Sequence, residues 1–109
     1  MSAKPMKKHT LLRAALTIII TLTLASFACG AEAADTWKTK CAVCHGPEGK
    51  GKPAAHTQDY TSADVQAKFT DEEAIKTITD GKKPMPSYKD KLSADEIKAL
   101  AAYIRTLKK

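Results

Sequence analysis

The residues best suited to chemistry stand in one short run, Cys41-Ala42-Val43-Cys44-His45. On a helical turn, two cysteines three residues apart share one side, and a histidine follows at once. That pair can add its thiols across the two vinyl groups along one edge of a porphyrin. Two thioethers result, and His45 then lies under the ring with its imidazole toward iron. Three other chemistries use similar residues. A thioredoxin-like C-x-x-C needs a βαβ context, and the sequence shows no strand pattern. A zinc site needs two further Cys or His ligands, and beyond the N-terminal stretch only His56 is added to His45. A plain Cys41–Cys44 disulfide leaves the histidine without a purpose. Covalent haem is therefore the expected use.

The chain that must position these groups is short. Residues 1–33 have the form of a cleaved, Sec-type export signal, with Lys4, Lys7, Lys8 and Arg13 leading into an uncharged, mostly apolar run from Ala14 to Ala28. Ala31-Glu32-Ala33 fits a small-residue cleavage site. The apolar run falls short of the roughly 20 residues a spanning helix needs, so no membrane span is expected in the mature form. Lipid attachment at Cys29 is disfavoured by the bulky Phe27 just before it. Removing residues 1–33 takes away four of the 18 basic residues and one of the 12 acidic ones, leaving a net charge of +3 instead of +6. Much of the basicity belongs to the signal, and nucleic-acid binding loses its main support. The remaining domain, residues 34–109, is 76 residues long with only five aromatics. A chain of that size rarely builds a sufficient core from side chains alone, so a cofactor is expected at its centre.

Local signals predict an all-α domain. A first helix is expected from about Ala34 through Cys44 and a short one from about Ser62 to Lys68. A third is marked by Thr70 and Glu73 as a capping box, with Gly81 as its stop. A fourth starts at Ser93 with Glu96 closing its box, and Ile97, Leu100, Ala101, Ile104 and Leu107 recur at helical spacing. Two loops rich in Gly, Pro and Lys separate these helices, at 46–60 and 81–92. The second holds "PMPSY", a methionine between two prolines. Proline restricts a loop before any partner binds, which lowers the entropy cost of presenting a side chain.

In order along the chain, Trp37, "CAVCHG", a Gly/Lys/Pro loop, "PMPSY" and "LSADEIKALAAYIRTL" resemble the class I monohaem c-type cytochromes. The resemblance implies the cytochrome c fold, about four helices wrapped around one covalently attached haem c. It makes Cys41 and Cys44 the thioether anchors and His45 the proximal iron ligand. A methionine near a proline supplies the sixth ligand in that family. With Met1 and Met6 in the signal, Met85 is the one thioether left, although core packing or a surface turn is the alternative for it. His56 would instead give a bis-His site, against an exposed loop position. The family pattern also has a proline carbonyl accept the proximal histidine's Nδ1 proton, for which Pro53 is the candidate and Pro47 stays open. Trp37 and Tyr103 are expected to pack where the first and last helices cross, with Ala33 where glycine is typical. Tyr60 and Tyr88 are either partners of a propionate or the Met sulfur, or plain packing.

The expected function is one-electron transfer in the periplasm by a monomeric carrier, without enzymatic activity, since no general base, nucleophile or substrate pocket is identifiable. A pseudo-peroxidase or a gas-sensing haem module with a labile Met85 is the alternative. Lys82, Lys83, Lys89 and Lys91 around the methionine, with Lys50 and Lys52 after the motif, are either solvated charge or a basic rim steering redox partner proteins with acidic docking surfaces.

Overall fold

The computed structural model describes residues 30–109, and the greater part of the expected export signal, with Met1, Met6 and Cys29, lies outside the described residues. The described chain is helical, with no strand among the described residues and a single isolated bridge between Lys82 and Met85. Helix α1 occupies residues 30–45. It is helical from 30, earlier than the expected start near Ala34, because the alanines at 31, 33 and 34 favour helix and Ala33 has a place in the core. Its middle, Trp37–Cys41, is a π turn in which the Ala42 N–H reaches back to the Trp37 carbonyl, and Ala42–His45 continues as α-helix. Widened turns of this kind recur at functional sites.

A 3₁₀ turn, Pro53–Ala55, interrupts the following loop. Helix α2 is Ala63–Gln66, α3 is Asp71–Asp80 and α4 is Ala94–Thr106. Both expected capping boxes form. The Glu73 N–H donates to Thr70 Oγ1 at 3.1 Å and the Thr70 N–H to Glu73 Oε2 at 2.8 Å. The Ser93–Glu96 pair repeats the arrangement at 3.2 and 2.6 Å. Each box satisfies two N–H groups that the helix start would otherwise leave unpaired.

The core sits where α1 and α4 meet α3. Ala33 and Trp37 come from α1, Ile78 from α3, Leu92 from the loop, and Ile97, Leu100, Ala101 and Ile104 from α4. The α4 stripe is buried as its 3.6-residue period requires, with Leu107 at its half-buried end. Trp37 and Tyr103 pack with ring centroids 5.9 Å apart, the α1–α4 contact expected from the family pattern. A polar staple closes the far side. Gln66, 6% exposed, donates from Nε2 to the carbonyls of Tyr60 and Ile104, both at 2.8 Å. Arg105 donates to the Gln66 and Phe69 carbonyls at 2.6 and 2.8 Å and lies over the Phe69 ring. No helix among the described residues is long and apolar enough to cross a membrane.

Candidate functional site

The last turn of α1 presents the motif. Cys41 is half-buried, Cys44 is exposed and no disulfide joins them. Val43 between them is 70% exposed. Burial pushes the Cys41 thiol up to about 11. His45 is half-buried between two rings, Trp37 at 5.7 Å and Tyr60 at 5.6 Å, and burial lowers its pKa by disfavouring the charged imidazolium. The flanking rings fix the plane of the imidazole. Tyr60 packs in turn against Phe69 in a T-shaped pair with ring centroids 5.8 Å apart.

The backbone around His45 is tied to the 46–60 loop. The Gly51 N–H donates to the His45 carbonyl at 2.9 Å, and Trp37 Nε1 donates to the Gly46 carbonyl at 3.1 Å. Thr57 Oγ1 donates to the Cys44 carbonyl at 2.7 Å and accepts from the Lys52 N–H at 2.8 Å. Gly51 has φ +77°, and a Cβ there would lie 2.5 Å from the Thr57 carbonyl oxygen, so only glycine permits this closure.

The expected Pro53 contact is not made. The Pro53 carbonyl accepts the His56 N–H at 3.1 Å instead, while His45 Nδ1 is buried with no hydrogen-bond partner. Proline's fixed φ starts a 3₁₀ turn in which that carbonyl faces the His56 N–H. Pro47 accepts no hydrogen bond among the described residues. His56 is exposed at the end of the turn, with φ 51°.

Met85 lies in the 81–92 loop, half-buried, and packs against the same core cluster that Cys41, Ala42 and Tyr60 touch. Gly81, at φ +77°, turns the chain so tightly that a Cβ would meet the Ser87 nitrogen at 2.7 Å and the Met85 oxygen at 2.9 Å. Lys82 and Met85 then exchange backbone hydrogen bonds at 3.0 and 2.8 Å. The Tyr88 ring packs against the core, and its hydroxyl donates to the Lys40 carbonyl at 3.2 Å. Burial is the largest cause raising its pKa. Lys82, Lys83, Lys89 and Lys91 are all exposed, as are Lys50 and Lys52, and Lys50 pairs with Glu48 at 2.9 Å. The roles of Gln66, Arg105 and Thr57 have no signature in the sequence, because each depends on a partner brought close only by folding.

The donor set fits haem c: two thiols three apart on one turn, an imidazole directly after them with its ring held by aromatics, and a thioether packed on the same core. Comparison with known proteins agrees. Residues 29–104 match the family described as cytochrome c oxidase, cbb3-type, subunit III. The chain is 32% identical over 68 residues to cytochrome c6 of Leptolyngbya boryana, covering 62% of this chain and 80% of that protein. It is 33% identical over 75 residues to the cbb3-type cytochrome c oxidase subunit FixP of Azorhizobium caulinodans, covering 68% of this chain but 26% of the FixP length. Among solved structures, the KustC0563 c-type cytochrome superposes with a TM-score of 0.66 at 31% identity, over 71% of this chain and 98% of that one. A point mutant of that protein gives 0.64 at 30% identity, over 71% and 99%. The chain therefore belongs to this c-type cytochrome family, as a small class I, single-haem member with the cytochrome c fold whose cofactor is covalently bound haem c with its iron.

Proposed function

We propose that this electron-transfer haem protein is an exported, periplasmic carrier whose haem is held by Cys41 and Cys44 and ligated by His45 and Met85. The observation that carries the reading is convergence. The attachment turn, the ring-braced His45 and the only thioether of residues 30–109 all lie against one core cluster. Bound haem c supplies a one-electron Fe(III)/Fe(II) couple. Cys41 and Cys44 anchor the porphyrin edge, and the Trp37 and Tyr60 rings keep the His45 plane fixed. The Met85 sulfur, a soft donor, favours the ferrous state and raises the potential relative to a second nitrogen ligand. A ligand already held by the folded loop needs little rearrangement when the charge changes.

The similarity to FixP and to a cytochrome c6 supports a module that passes electrons between protein partners. The exposed lysines at 82, 83, 89 and 91 are the surface we assign to acidic partners. The helix running through 30–36, with Ala33 buried at 4%, favours a signal cut before Ala33, near Gly30. Replacing Met85 with Ala tests the ligand set. The far-red sulfur-to-iron band of the ferric protein should disappear, the reduction potential should fall sharply, and carbon monoxide should bind the reduced protein readily. An unchanged potential would show that Met85 is not the ligand. Ready binding of carbon monoxide by the unaltered protein would favour the gas-sensing or pseudo-peroxidase reading.

A further inference from the structure

The Met85 loop is fastened mainly to its own helix. The Tyr88 and Lys89 N–H groups and the Ser87 hydroxyl donate to the carbonyls of Ile78 and Thr79, at 3.0, 3.2 and 2.6 Å, filling acceptors that the end of α3 leaves open. Across the molecule, the loop has much less to hold it. Among the described residues, one hydrogen bond joins 81–92 to the haem-attachment helix, from the Tyr88 hydroxyl to the Lys40 carbonyl at 3.2 Å, spanning 48 positions. Lys40 stands in the π turn next to Cys41, so the bond reaches the residue beside the attachment point. The Tyr88 backbone is fixed at the same time, since its carbonyl accepts the Lys91 and Leu92 N–H groups at 3.0 and 2.9 Å. Its ring packs against the core, with the Lys91 ammonium 5.5 Å from the centroid.

We propose that Tyr88 is a positioning residue, a latch between the Met85 loop and the attachment segment that sets how readily the Met85 sulfur gives way to another ligand. The proposal rests on Met85 as the sixth ligand. Opening the loop away from α1 breaks this bond while leaving those to α3 intact, so its strength acts on loop opening as well as on global unfolding. The net worth of one such bond corresponds to roughly a two- to tenfold change in an opening equilibrium.

The test uses the haem-loaded protein in its ferric form, with imidazole as the competing ligand and the far-red band as the readout. Tyr88→Phe keeps the ring and removes only the hydroxyl. It should bind imidazole at least twofold and up to about tenfold more tightly than the unaltered protein. Deuterium exchange should quicken at 81–92. An imidazole affinity raised by less than twofold overturns the latch, including the case where only the unfolding midpoint falls. Met85→Ala separates the two claims: if it keeps the far-red band, the ligand assignment has failed, whatever Tyr88→Phe does.

Discussion

Trp37 links the core to the site, and Trp37→Phe measures that link. The indole is 2% exposed, packs 5.9 Å from Tyr103 and 5.7 Å from His45, and donates to the Gly46 carbonyl at 3.1 Å. Phenylalanine keeps one ring and loses the N–H. The lost bond costs about 1 kcal/mol, in the middle of the usual range, because Gly46 still accepts the Gly49 N–H at 3.1 Å and is not left unpaired. The missing part of the indole leaves a void in a site walled by helices, adding roughly 1–2 kcal/mol, well under the 3–5 kcal/mol of full truncation. The sum is about 2–3 kcal/mol, and each kcal/mol lowers the Tm of a domain this size by about 4–8 °C. Urea unfolding of the haem-loaded protein should show the midpoint falling with the slope unchanged. A loss below about 0.5 kcal/mol would refute the reasoning, since it would mean the indole is neither packed nor bonded in solution as described.

Gly81→Ala forces an L side chain into φ +77°, ψ 166° and against the loop backbone; it should cost about 1–3 kcal/mol and weaken the far-red band, checked by unfolding and absorption together. Arg105→Lys loses the planar fork that serves Gln66 and Phe69 and should cost about 2 kcal/mol, whereas Asp71→Asn, removing only a largely exposed partner, should cost less than about 0.5 kcal/mol in the same assay. Hydrogen bonds from Ser93 hold the Glu96 carboxyl below the ordinary 4.5, so its contribution is present above that value and lost as pH falls through the lowered folded value. Glu96→Gln should therefore be less stable than the unaltered protein at pH 7, with the gap closing in acid; a gap independent of pH would contradict the sign.

Much of this protein is legible along the chain because its signals are local. A capping box needs residues three apart, and both boxes form where Thr70 and Ser93 predict them. The α4 stripe needs only helical spacing, and the five-residue motif carries its chemistry in its own order. Folding decided what sequence spacing does not encode. The Arg105 bond to Gln66 spans 39 positions and the Tyr88 bond to Lys40 spans 48. Nothing at either end marks its partner. Where a carbonyl faces is also settled only in three dimensions: that of Pro53 meets the His56 N–H within a 3₁₀ turn, and His45 Nδ1 is unpartnered. Residue type and short-range order determine which groups can act. The packing of α1 against α4, and of the two loops around the attachment turn, decides which of them meet.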